Sequence, residues 1–111
     1  MKKLLITLII VFSIKLNAQK QFEGAWVSDT SSHTTIIIAS DYAILKVFNF
    51  SFEEDSYIEE QILNQENNSF KTKLYNAENG YEVFIKYYFI ENEMYCEFSG
   101  DYNGLILMQK K

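Results

Sequence analysis

Proline and arginine are both missing from this chain, and cysteine, histidine and tryptophan each occur once in 111 residues. Each shortage closes off a kind of chemistry. Beyond the first eighteen residues, seven lysines face fifteen acids, a net charge of −8. With no arginine there is no footprint for phosphates, so nucleic acid is not an expected partner. A polybasic hold on anionic lipid is equally unsupported. A single thiol permits no internal disulfide, so stability must come from packing. The alternation Met94, Cys96, Phe98 reads Cys96 as a small buried apolar side chain. One histidine and one cysteine cannot supply the three or four ligands zinc takes, and no cofactor is expected.

No long hydrophobic run is present either. Met1, Lys2 and Lys3 form a short basic start, residues 4–14 are apolar except for Thr7 and Ser13, and Ala18 precedes Gln19. That layout reads as a secretory signal peptide, bacterial in style and too short to span a bilayer comfortably; the rival reading is an uncleaved membrane anchor. No cysteine follows it to take a lipid, so no stable membrane anchor is expected after cleavage, and the product is secreted or periplasmic. Removing residues 1–18 from 111 leaves 93, residues 19–111, enough for one domain with one core.

What the chain does have is aromatics and alternation. Eight tyrosines and eight phenylalanines lie beyond the leader, residues that favour the pleated surface of strands. Eight strands are predicted, over residues 24–29, 34–39, 42–52, 57–65, 69–75, 81–90, 94–99 and 105–109. The second is β-branched from Thr34 to Ile38, which restricts χ1 and disfavours helix. The fourth also fits a helix face through Ile58 and Ile62. In the third, Ile44, Phe48, Phe50 and Phe52 are expected on one face and Val47 on the other. Asn79-Gly80, between two alternating runs, reads as a hairpin in which both residues tolerate positive φ.

Loops this short allow only antiparallel neighbours. A long meander leaves two open edges, and closing strand one onto strand eight removes both. The expected fold is therefore all-β, an eight-stranded antiparallel up-and-down barrel after the signal peptide. A barrel of eight strands is either filled by side chains or holds one small ligand.

The segment Phe22-x-Gly24-x-Trp26 at the first strand resembles the G-x-W signature of the calycins, the superfamily of lipocalins, fatty-acid-binding proteins and avidins. The resemblance implies a lipocalin-like domain whose tryptophan plugs the closed end of the barrel, covered by a basic residue of the last strand, here Lys110. Ser28 follows Trp26 at a spacing similar to a biotin contact in avidins. The further tryptophans that wall a biotin site are missing, so biotin is rejected. At 93 residues the chain is far shorter than a typical lipocalin.

Catalytic groups are sparse, and an enzyme is not expected. His33 lies near Asp29, Ser31 and Ser32, but neighbours in one loop rarely form a triad, and turn chemistry explains them. The acids Glu53, Glu54 and Asp55 lack the spacing of a calcium loop and read as solvated surface. Strand four carries one oddity. Whichever face points inward brings a glutamate, Glu60 between Ile58 and Ile62 or Glu59 between Tyr57 and Leu63. A carboxylate inside must be paired or protonated. It marks a ligand's polar group, a water-filled end or a local bulge. The aromatic faces are the main functional hint. Trp26, Phe48, Phe50, Tyr87 and Phe98, with Ser28, are the candidate lining for a small apolar or amphipathic ligand. The alternative is a filled barrel acting as an interaction or inhibitor module. Its protein partner, or a second copy, would sit on the outer strip Phe84, Tyr88 and Ile90.

Overall fold

A computed structural model describes residues 19–28 and 33–111. The signal peptide expected over residues 1–18, and residues 29–32 with Asp29, Ser31 and Ser32, lie outside the described residues. A 3₁₀ turn, Lys20–Phe22, leads into eight strands: β1 Gly24–Val27, β2 His33–Ala39, β3 Ile44–Ser51, β4 Ser56–Gln65, β5 Ser69–Asn76, β6 Tyr81–Ile90, β7 Glu93–Gly100 and β8 Gly104–Lys110. Each is antiparallel to its chain neighbour, and the sheet closes on itself in the order β1 to β8. The seam pairs Trp26 with Lys110 and Val27 with Gln109. The Lys111 amide extends it by donating to the Ala25 carbonyl at 2.8 Å. Closure of β1 onto β8 removes the two open edges that a long meander leaves. β4 is a strand rather than a helix, because its backbone groups are taken by β3 and β5.

Two local geometries differ from the sequence reading. In the Asn79-Gly80 hairpin only Gly80 has a positive φ, 76°. The turn spans four residues and is closed by the Gly80 amide on the Asn76 carbonyl, while Asn79 Oδ1 accepts from the Tyr81 amide. The two-residue turn with both residues left-handed is Glu91-Asn92, at φ 49° and 73°, between the paired Ile90 and Glu93. The second difference is in β3. The β2–β3 register slips beside Ala39, so Ile44 pairs with Ala39 while Lys46 pairs with Ile38. The extra residue turns Ile44 and Val47 to the same, inner face. Phe48 and Phe50 are thereby sent outward, where Phe48 meets Tyr57 edge-on and Phe50 meets Phe52.

One end of the barrel is packed solid. Phe22, swung inward by the 3₁₀ turn and fully buried, sits edge-on to Phe70 with ring centroids 4.9 Å apart. It also touches Phe89, which in turn meets Trp26. Phe70 stacks on Tyr87 at 4.5 Å. Full burial of a side chain like Phe22 contributes about 1.5–3 kcal/mol. The Trp26 indole N–H donates to the Phe22 carbonyl at 2.9 Å, so the ring is both packed and satisfied. The Lys110 ammonium lies 5.6 Å from the indole centroid, in the covering position expected of it. At the same end the Gln65 side chain replaces a missing strand partner. It accepts from the Ile44 amide at 2.8 Å and donates to the Ile44 carbonyl at 3.1 Å, where β3–β4 pairing has already stopped.

Candidate functional site

In an up-and-down barrel the odd-numbered hairpins share one end. There the turns after β3, β5 and β7 surround a cavity of about 530 Å³, with His33 at the start of β2. Ile58, Leu74, Val83, Phe98 and Ile106 form its lower wall, one residue from each of β4 to β8. The rim is polar: His33, Asn49, Ser51, Glu54, Asn76 and Asn79, with the rings of Tyr57, Tyr81 and Tyr102. Tyr102 leans edge-on over Phe98, with centroids 5.3 Å apart. Asn49 Oδ1 accepts from His33 Nδ1 across 2.9 Å, linking β3 to β2 at the rim. Apolar walls with a few convergent polar groups are the usual makeup of a small-molecule site.

Beneath this chamber lies a buried carboxyl. The register pairs Asn49 with Ile58 and Val47 with Glu60, so Glu60 stands one pleat below two residues that line the cavity. It is only 2% exposed. Thr72 Oγ1 donates to Glu60 Oε1 at 2.7 Å, and the Tyr87 hydroxyl donates to the same oxygen at 2.6 Å. The other oxygen, Oε2, is buried with no hydrogen-bond partner among the described residues. Burial holds the Glu60 carboxyl above its ordinary range, partly offset by the Tyr87 and Thr72 hydroxyls and the Asn49 amide. The same burial, with Glu60 adjacent, raises Tyr87 well above a normal tyrosine and Cys96 well above a normal thiol. Among the described residues no three His, Cys, Asp or Glu side chains are grouped to hold a metal.

The six residues singled out from sequence do not converge. Phe98 lines the cavity. Tyr87 lies below it, as a donor to Glu60. Trp26 belongs to the packed end, against Phe22 and Phe89. Ser28 follows β1, half-buried and outside the cavity lining. Phe48 and Phe50 face outward, for the register reason given above. The inward glutamate is Glu60, one of the two positions the alternation allowed. Asn49, Leu74, Val83 and Ile106 were not anticipated as lining. On the outer surface Phe84, Tyr88 and Ile90 share one face of β6, as expected. Lys71 lies over Phe84 and Lys86 over Tyr88, Tyr88 stacks on Tyr95, and Ile90 is exposed.

Comparison with protein-family models, with curated proteins and with solved structures finds no match. The class defined by the coordinates is a closed, eight-stranded antiparallel barrel with one packed and one open end.

Proposed function

We propose that the chain is an exported, lipocalin-like binding protein that holds a small apolar or amphipathic molecule in the open end of its barrel. The observation that carries the reading is the cavity of about 530 Å³ above a packed floor. Its size falls within the ~300–1,000 Å³ usual for ligand pockets. The lower wall takes an apolar body, and the asparagines and tyrosines of the rim take its polar groups. Trp26 under Lys110 supports the calycin resemblance, since it reproduces the covered plug that the resemblance implies. The reading assigns the chain no catalytic step.

Native mass spectrometry and calorimetry with a panel of small apolar and amphipathic compounds test it. Binding is expected for the natural sequence and its loss for Leu74→Trp, which fills the chamber from the wall of β5. Binding that survives this substitution in a folded variant places the ligand elsewhere and ends the proposal. The outer strip is the weaker candidate for a binding face, because lysines already cover the Phe84 and Tyr88 rings.

A further inference from the structure

We propose that the molecule held in the barrel carries a protonated amine, and that this ammonium ends on Oε2 of Glu60. The inference rests on the binding reading above and narrows it to a chemical class. Glu60 receives both of its hydroxyl donors, Thr72 and Tyr87, on one oxygen. Two donors on Oε1 fix the plane of the carboxyl and leave Oε2 buried without a partner among the described residues. In either protonation state that atom lacks what it needs. As a carboxylate it wants a donor, and as an acid its proton wants an acceptor. A cationic donor meets the first need and neutralises the buried charge in one contact.

Access comes from the register. Asn49 and Ile58 form the pair directly above the Val47–Glu60 pair, and both line the cavity. Asn49 stands on the inner face one step above Glu60 and belongs to the polar part of the lining. An ammonium arriving from the chamber supplies the donor that Oε2 lacks, and the ligand's apolar body then lies against Leu74, Val83, Phe98 and Ile106.

The sign of the charges selects the class. The lining contains the carboxylate of Glu54 and no lysine. The chain beyond its first eighteen residues carries −8, which concentrates cations around it. A fatty acid of the same shape would set its carboxylate above Glu60, where His33 is the one basic side chain of the lining and sits at the rim. An amine finds the Glu60 carboxyl beneath it and the Glu54 carboxylate at the rim above.

The test is calorimetric titration near neutral pH with three probes alike in all but the head group: phenylpropylamine, phenylpropanol and phenylpropanoate. The amine is expected to bind at least about tenfold more tightly than the alcohol, as a charge-assisted hydrogen bond provides, with the carboxylate weakest. Glu60→Gln keeps the shape of the side chain and is expected to bring the amine down to the alcohol. The head-group ranking in the unaltered protein needs no variant, so misfolding of the glutamine form cannot hide the answer. An amine no tighter than the alcohol overturns the proposal, as does an amine preference that survives in folded Glu60→Gln. Binding of all three without preference leaves the ligand-carrying barrel standing and removes only this inference. Binding of none removes both.

Discussion

The Tyr87 hydroxyl donates to Glu60 Oε1 across 2.6 Å, from β6 to β4, with neither side chain exposed beyond 2%. A bond made to an ionisable group away from water is worth more than a surface bond, and its loss leaves a desolvated oxygen short of a donor. Tyr87→Phe keeps the ring and its stacking on Phe70. It is expected to destabilise the fold by about 1–3 kcal/mol, read as a lower midpoint in thermal or urea unfolding. The same substitution made in Glu60→Gln should cost less, because the amide demands less of its donor. Equal costs in the two backgrounds would show that the hydroxyl acts on something other than Glu60.

Glu60 also gives stability a pH dependence of definite sign. Its folded-state pKa is raised above the ordinary 4.5, chiefly by burial. A group raised in this way contributes most below its unfolded value, and that contribution is lost as pH rises through the folded one. Unfolding free energy, measured from below 4.5 up to neutrality, should therefore carry a downward term from Glu60. The loss amounts to about 1.4 kcal/mol for every pH unit separating the two values. Glu60→Gln removes that term, so its stability relative to the natural sequence should climb across the window. A difference that stays flat with pH contradicts the burial argument.

The fold was legible because its signals were local. β-branching in β2, alternation in β5 and β6, and turn residues at short intervals each point to strands, and closure follows from the edges. The inward glutamate of β4 was legible too, as one of two choices. What alternation could not supply was the face of β3. A strict period of two through Ile44, Phe48 and Phe50 also drives Lys46 into the barrel. In the structure Lys46 is outside and paired with Glu59 at 3.6 Å. A lysine in the middle of a supposed core face was the signal for a bulge, and heeding it would have placed Asn49 inside and both phenylalanines outside. The role of Phe22 was hidden for another reason. Its burial depends on a 3₁₀ turn ahead of β1, and a strand reading that begins at residue 24 gives Phe22 no inward direction.

Gly100 and Gly80 both have positive φ, 107° and 76°, but in different surroundings. A Cβ at Gly80 meets nothing within 4 Å, whereas one at Gly100 comes to 2.9 Å from the Glu82 carbonyl oxygen. That oxygen accepts from the Asp101 amide, and Asp101 Oδ2 accepts from the Glu82 amide, so the neighbour is clamped. Gly80→Ala should cost about 1 kcal/mol, from backbone conformation alone. Gly100→Ala should cost about 3 kcal/mol or more, since a steric conflict with backbone is added. Urea denaturation of the two variants side by side measures the gap, and equal losses would refute the clamp.

Cys96 is 1% exposed, and burial raises its thiol well above the ordinary value. The thiolate is the reactive form, so native protein should react with a thiol-selective reagent only through opening of the barrel. Labelling is expected to be slow at neutral pH and to accelerate in parallel with unfolding as urea is added. Rapid stoichiometric labelling of the native form would show that the β6–β7–β8 wall opens on its own.

The amine contact and the raised Glu60 pKa together predict proton release on binding. An ammonium favours the carboxylate, so below the folded-state pKa the ligand must expel the proton that burial keeps there. Affinity for phenylpropylamine should consequently rise with pH through that value and then level off. Phenylpropanol, which has no charge to set against Glu60, should show no such rise. Titration in two buffers of different ionisation enthalpy measures the proton directly. The amine's observed heats should differ between buffers at acidic pH by an amount approaching one proton per ligand, and agree once Glu60 is ionised. Buffer-independent heats on the acidic side would mean that the ammonium stops at the rim, beside Glu54, and never reaches the carboxyl below.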